Sequence, residues 1–203
     1  MANIRRELAS AAVNRAFALT DINIHKTQEQ RHEFRKQIIL ADESLTRDEK
    51  LYAIRDSAKN MDYYKLLENK GTKRICENCQ EECLATLYCE YCVRNHLKSN
   101  FSNWTSRNYD IDNLIQECQM KTIAPNLIPE WIPYNSFENI KYLTKGGFSE
   151  IYTAVWIEGS YEEWDSKEQQ LKRFGIYKVI IKRLENVESA IEFGLKRPVI
   201  KIN

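Results

Sequence analysis

The first third of the chain has apolar side chains at the spacing of an α-helix. Apolar positions recur every three or four residues within 4–15 and again within 34–41, and no Pro or Gly occurs before Gly71. Thr46, with Glu49 three residues later, forms a capping box that predicts the start of a third helix. The run "DYYKLLEN" predicts a fourth helix that ends at Gly71, since glycine is common just after a helix C-terminus. The pattern therefore predicts a small helical bundle or hairpin.

The second half of the chain changes from helical to strand-like spacing. The segment "YDIDNLIQECQM" predicts one short helix that begins at Asp110 or Asp112. The next segment, "APNLIPEWIPYNSF", contains three prolines and predicts an extended linker. From Ile140 onward the pieces "IKYL", "SEIYTAVW" and "YKVIIKRL" predict strands. The polar stretch 157–175, between the last two strands, predicts a solvated loop or a surface helix.

These patterns predict an α+β protein built from four consecutive regions. A helical region comes first, and a cysteine-containing module with the helix that follows it comes second. A proline-containing linker is third, and an incomplete antiparallel sheet is fourth. The predicted boundaries are 1–71, 72–124, 125–139 and 140–203.

Composition and charge exclude several classes of protein. The formal net charge is +1 and the two signs are mixed along the chain, so no segment has the basic excess that binding nucleic acid requires. No uncharged apolar run approaches the roughly 20 residues of a membrane helix. Arg5, Arg6 and Arg15 interrupt the N-terminal apolar positions and exclude the core of a secretory signal peptide. We therefore expect a cytoplasmic protein, or a nuclear one, that binds neither nucleic acid nor membrane.

Five of the six cysteines fall within 17 residues. Without a secretory signal, such a cluster favours metal binding over disulfides. Cys76-x2-Cys79 and Cys89-x2-Cys92 each place two thiolates where they face one ion, and zinc prefers four soft ligands at tetrahedral corners. "TLYC" predicts a β-like run and "CVRNHLKSNF" predicts a helix, as in a treble clef or zinc ribbon. We expect a structural Zn²⁺, because four protein ligands leave no open coordination position.

Two further residues compete for this metal. His96 lies four residues after Cys92 on the same predicted helical face, and Cys83 lies between the two pairs. Either is a candidate to replace one of the four cysteines. Cys118 stands apart from the cluster, and we expect it to be a small buried apolar side chain.

The stretch "LTKGGFSEIYTAVW" has the outline of a phosphate-binding loop between two antiparallel strands. The protein-kinase pattern is G-x-G-x-x-G-x-V, followed on the next strand by the lysine of V-A-I-K. Here the three glycine positions hold Thr144, Gly146 and Ser149, Ile151 takes the place of the valine, and "VIIK" ends at Lys182. Such a loop brings backbone N–H groups close to phosphates, and the lysine neutralises their charge.

Residues 1–190 resemble the beginning of a eukaryotic protein kinase and, more specifically, a large fungal family of kinase-like proteins. The segments "RICENCQEECLATLYCEYCVRN" and "WIPYNSFENIKYLTKGGFSEIYTAVW" carry this resemblance. It implies that complete relatives use ATP to phosphorylate Ser, Thr or Tyr side chains. It also implies a nucleotide site in this chain, with an aromatic residue covering the loop. The implied nucleotide-binding residues are Gly146, Gly147, Phe148, Ser149, Ile151 and Lys182.

The chain departs from the kinase pattern at several positions. Thr144 and Ser149 replace two glycines, and Ile180 stands where the family usually has a small alanine beside the adenine. The motifs H-R-D and D-F-G, which supply the catalytic and metal-binding Asp, do not occur in the 203 residues. We therefore expect a truncated, pseudokinase-like signalling protein with protein partners, weak ATP binding and no catalytic residues of its own. The alternative is a zinc-stabilised protein-interaction module with a non-functional kinase remnant.

Overall fold

The computed structural model describes residues 4–147 and 149–184. Helices dominate its first part and antiparallel strands its second, which confirms a mixed helical and antiparallel-sheet fold. The helices are α1 (Arg6–Ala18), α2 (Gln28–Ala41), α3 (Arg47–Glu68), α4 (Glu90–Ser99) and α5 (Tyr109–Met120). The strands are β1 (Arg74–Ile75), β2 (Glu82–Cys83), β3 (Phe137–Gly146), β4 (Ser149–Trp156), β5 (Tyr161–Asp165), β6 (Gln170–Arg173) and β7 (Tyr177–Leu184).

The chain forms two compact units that divide between Tyr91 and Cys92. The division falls inside α4, so this helix carries residues of both units. The domain boundaries that the sequence places near residues 71, 124 and 139 stay predictions.

No helix in the described ranges combines the length and the apolar character needed to cross a bilayer. The expected location in the cytoplasm or nucleus stays a prediction.

Helices α1, α2 and α3 pack around a small apolar core. Its buried side chains are Ala9, Ala12, Val13, Ala16, Ile39, Leu45 and Ala53. Most of these side chains are small, which lets the helix backbones approach each other closely. Helices α2 and α3 both begin with a capping box, formed by Thr27 with Gln30 and by Thr46 with Glu49. The second of these confirms the helix start predicted from the sequence.

The prediction of separate third and fourth helices is wrong, because α3 is one helix of 22 residues. No Pro or Gly occurs within α3, so nothing in the sequence ends the predicted third helix before the predicted fourth one. The helix also ends earlier than predicted. Its C-cap is Asn69, which adopts a left-handed φ of 51°, and Gly71 follows outside the helix. Asparagine tolerates this conformation better than most other residues do.

Strands β1 and β2 pair antiparallel and precede α4. The expectation of a β-like run in "TLYC" is wrong, since no strand includes these residues. The backbone N–H groups of Thr86 and Leu87 instead donate hydrogen bonds to the carboxylate of Asp62 on α3, at 2.7 and 2.8 Å. A backbone donor used in this way is not available to a strand ladder. The helix predicted in "CVRNHLKSNF" is confirmed as α4.

Helix α5 follows in the second unit, and its N-cap is Asn108. The side-chain oxygen of Asn108 accepts hydrogen bonds from two backbone N–H groups in the first turn. The predicted start at Asp110 or Asp112 is therefore wrong by one or more residues. The proline-containing segment beyond α5 includes two short 3₁₀ turns, Pro125–Leu127 and Tyr134–Ser136.

A three-stranded antiparallel sheet with the order β3-β4-β7 follows these turns. One face of this sheet carries a buried cluster formed by Ala154, Trp156 and Val179, against which Phe137 and Ile181 pack. Side chains alternate between the faces of a strand, so Ile180 and Lys182 belong to the opposite face. The three strands predicted from the sequence are confirmed, although β3 begins at Phe137, three residues before Ile140.

The stretch 157–175 contains a β-hairpin of β5 and β6, so the predicted loop or surface helix is wrong. Trp164 lies on this hairpin and is only 4% exposed. The carboxylate of Asp165 accepts hydrogen bonds from the backbone N–H groups of Lys167 and Glu168, and these bonds fold the tight turn. Most residues of the stretch are polar. One buried aromatic side chain among them produces no periodic apolar pattern, so the sequence did not predict the strands.

Candidate functional site

The four cysteines of the two Cys-x2-Cys pairs come together in the structure. The Sγ atoms of Cys76, Cys79, Cys89 and Cys92 all lie within 4.8 Å of one another. The Sγ atoms of Cys79 and Cys89 are 3.6 Å apart. A tetrahedral ion with metal–sulfur bonds of about 2.3 Å holds its thiolates roughly 3.8 Å apart, so this spacing fits such an ion. None of the cysteines forms a disulfide bond.

The first pair of thiols lies on the turn between β1 and β2. Cys76 follows β1 directly, and its backbone N–H donates to the carbonyl oxygen of Glu81 at 2.9 Å. The N–H of Gln80 donates in turn to the carbonyl oxygen of Cys76. Gln80 takes a left-handed φ of 61°, which reverses the chain directly after Cys79. The turn therefore directs both thiols of the pair towards one point.

The electrostatics of this turn favour a thiolate at Cys76. Burial acts to raise the pKa of the Cys76 thiol, but hydrogen bonds from the backbone N–H groups of Cys79 and Asn78 and from neighbouring thiols lower it to about 7. The thiolate is the form that binds metal, so a lowered pKa assists metal binding near neutral pH.

The second pair of thiols lies at the start of α4. Cys89 precedes the first residue of this helix, and Cys92 lies in its first turn. The N-terminus of a helix carries partial positive charge, which stabilises thiolates placed there. Val93 and Leu97 on the same helix are almost fully buried and anchor it. Sequence spacing alone was enough to identify all four cysteines.

Asp62 and Arg74 hold the loop before the second pair. The carboxylate of Asp62 is fully buried and accepts hydrogen bonds from the backbone N–H groups of Thr86 and Leu87. Arg74 donates from Nε to the carbonyl oxygen of Ala85 at 2.9 Å and from Nη2 to that of Tyr88 at 2.6 Å. No sequence motif marks either residue, because each acts on backbone groups far along the chain.

The two alternative ligands, His96 and Cys83, differ in their position relative to the four cysteines. His96 is absent from every group of metal-ligating side chains found in the described residues, and its ring packs against Trp164 at 5.5 Å. Burial lowers the pKa of His96. Cys83 lies beside the cluster, in a second group with Cys89 and Glu90, and burial raises the pKa of its thiol. Cys118 joins neither group.

The residues of the glycine loop form the hairpin between β3 and β4. Gly146, the last residue of β3, pairs with Ser149, the first residue of β4. Thr144 pairs with Ile151 on β4, and Ile151 pairs with Lys182 on β7. Partners in register share a face of the sheet, so these three side chains form one row across it. This row lies on the face opposite the buried cluster around Trp156.

The positions of the kinase glycine pattern in this hairpin differ in what the structure describes of them. Phe148 lies outside the described residues. Gly147 has open space where a Cβ would stand, and neither Gly146 nor Gly147 has a positive φ, so the fold itself does not require glycine at these positions. Thr144 lies in strand β3, directly after an irregularity in its pairing with β4. A β-branched side chain is well tolerated in a strand.

An apolar groove of about 330 Å³ runs between α5 and β7. Ile111, Leu114 and Cys118 line it from the helix, and four consecutive residues line it from the strand: Val179, Ile180, Ile181 and Lys182. Cys118 therefore faces an apolar space in the second unit. Cys118 is only half-buried there, so the expectation of a fully buried side chain is wrong.

No family model, curated protein or solved structure matches the chain. The thiol cluster and the glycine-loop hairpin are therefore the features on which a function has to be argued.

Proposed function

We propose that Cys76, Cys79, Cys89 and Cys92 hold one structural Zn²⁺ and that the stabilised module binds another protein. The observation that carries this proposal is the convergence of the four Sγ atoms within 4.8 Å of one another. Four thiolates form the donor set that zinc prefers in structural sites. They fill a tetrahedral shell completely, which leaves no position for a substrate and favours a binding role over a catalytic one.

Exposed apolar side chains support the binding role. Within the module, Ile75 on β1 and Tyr91 on α4 have exposed fractions of 55% and 39%. Large exposed apolar side chains are candidates for contact with another protein. The partner in this proposal is therefore a protein with an apolar contact surface.

Removal of the metal tests the structural role. Strands β1 and β2 have two residues each and make too few contacts to persist alone, so the metal would supply much of the folding free energy of this segment. We expect a strong chelator to accelerate amide hydrogen exchange across residues 74–93, and added Zn²⁺ to restore protection. The amides of β4 serve as an internal control. Unchanged exchange in residues 74–93 after complete metal removal would contradict a structural role.

A second candidate function is nucleotide binding of the kinase type, with residues 137–184 as the first strands of a kinase N-lobe. The observation that favours it is the register that places Ile151 directly opposite Lys182. In this proposal the loop at Gly146 and Gly147 donates backbone N–H groups to phosphates, and Lys182 neutralises their charge. Ser149 and Ile151 complete the site, together with Phe148. Protein phosphorylation belongs, in the same proposal, to complete relatives in the fungal kinase-like family.

ATP binding by titration calorimetry tests the second candidate. We expect weak binding that Lys182→Ala reduces strongly. Lys178→Ala is the matched control, since Lys178 lies on the same face of β7 four residues away, opposite Val155 rather than Ile151. The proposal fails if the wild-type protein binds no ATP, or if both substitutions weaken binding equally.

A further inference from the structure

We propose a second metal site beside the first, formed by Cys83, Cys89 and Glu90, in which the Cys89 thiolate bridges two ions. The site would take a thiophilic divalent cation such as Zn²⁺ or Cd²⁺. This inference rests on the proposed function, because Cys89 is also a ligand of the first ion.

The geometry of the three side chains carries the first step. The Sγ atoms of Cys83 and Cys89 and a carboxylate oxygen of Glu90 all lie within 4.8 Å of one another. All three residues are buried, and Cys83 has no exposed surface at all. Thiolate sulfur and carboxylate oxygen are both common zinc donors. Two thiolates and one carboxylate thus form a partial zinc shell inside the protein.

Glu90 supplies an independent reason for a cation at this place. Its Oε1 accepts a hydrogen bond from the backbone N–H of Leu84 at 2.8 Å. Its Oε2 is buried and has no hydrogen-bond partner in the described part of the chain. A buried carboxylate oxygen without a donor is costly. A metal ion at this oxygen would remove that cost.

The cationic side chain of Arg74 does not fill this role. Arg74 lies on β1, opposite Cys83 in the β1-β2 ladder. Its Nε and Nη2 atoms donate to the carbonyl oxygens of Ala85 and Tyr88. The guanidinium therefore holds the loop backbone, and the Oε2 atom of Glu90 remains available as a ligand.

The two sites differ in the number of protein donors. The first has four thiols, whereas the second has three donors and shares one of them with the first. An ion with three protein ligands keeps one position for water or another small ligand, as exchangeable and catalytic zinc ions do. We therefore expect the second ion to bind more weakly and to load after the first.

Metal stoichiometry by native mass spectrometry tests the second site. The purified protein is titrated with Zn²⁺, and in parallel with Cd²⁺. We expect one ion that survives extensive dialysis and a second that appears at higher free metal concentration. Cys83→Ser and Glu90→Gln should each abolish the second ion and keep the first. Glu77→Gln is the control, because Glu77 lies exposed in the same module outside both groups.

The outcomes separate the two proposals. A protein that binds no metal at all overturns both. A wild-type protein that saturates at one ion overturns the second site and leaves the first intact, as does a second ion that persists in Cys83→Ser and Glu90→Gln. Retention of the first ion in these variants shows that they remain folded. Cadmium NMR adds a direct test, since two ions that share a thiolate give two signals coupled to each other.

Discussion

Two buried carboxylates organise the N-terminal unit at the scale of single residues. Glu49 is 2% exposed and forms two hydrogen bonds with the guanidinium of Arg5, from Nε at 2.7 Å and from Nη2 at 2.8 Å. It also accepts a hydrogen bond from the backbone N–H of Thr46 at the start of α3. Asp62 has no exposed surface and holds the loop before Cys89. Each carboxylate thus joins segments that are distant in sequence.

Replacement of Asp62 by Asn should destabilise the cysteine module. The amide has a single acceptor oxygen, so it satisfies only one of the two N–H groups of Thr86 and Leu87 and leaves the other without its partner. Hydrogen bonds to a charged acceptor contribute roughly 1.5–3 kcal/mol each, so we expect unfolding free energy to fall by about 2 kcal/mol. Urea denaturation measures this change, with Asp56→Asn on the same helix as the control. Equal midpoints for the two variants would argue against the role given to Asp62.

Acid should weaken the N-terminal unit through Glu49. The hydrogen bonds from Arg5, and then that from Thr46, hold the pKa of Glu49 well below its ordinary value of 4.5. A carboxyl whose pKa is lower in the folded state stabilises the protein above its ordinary pKa, and this stabilisation is lost as pH falls below it. We expect unfolding free energy to decline below about pH 4.5 more steeply in the wild type than in Glu49→Gln. Parallel pH profiles for the two proteins would show that Glu49 does not cause the decline.

At the scale of helices and strands, the sequence was informative where apolar residues recurred at the spacing of a helix or a strand. It predicted α4 and the three strands of the sheet, and the capping box at Thr46 located the start of α3. It failed where one long-range contact decided the local conformation. Asp62 keeps "TLYC" out of a strand, and the burial of Trp164 turns a polar stretch into a hairpin. Such contacts leave no periodic signal in the chain.

The β5-β6 hairpin should depend on Trp164. This side chain is buried, and its ring packs against the ring of His96. Replacing a buried aromatic residue with Ala typically costs about 3–5 kcal/mol, because it removes apolar contacts and leaves a cavity. We expect Trp164→Ala to lower the unfolding free energy by about 3 kcal/mol and to speed amide exchange in β5 and β6. Tyr134→Ala, at a side chain that is 74% exposed, should change neither quantity.

At the scale of the whole molecule, one chain combines a thiol cluster with a glycine-loop hairpin. The four clustered cysteines were predictable because two-residue gaps restrict where paired thiols can point. Cys83 and Glu90 were not predictable as a pair, since their proximity depends on the β1-β2 ladder and on the first turn of α4. The kinase resemblance stays a prediction. The metal centre is therefore the central claim.

Zinc content tests this claim most directly. We expect the purified and dialysed protein to retain zinc in elemental analysis, because four thiolates hold the ion tightly. Cys76→Ser and Cys92→Ser should lose this zinc, since each removes one of four ligands. Cys118→Ser should keep the wild-type content, because Cys118 lies in the apolar groove beside β7. Wild-type protein without zinc, or a Cys76→Ser variant with wild-type zinc content, would contradict the account.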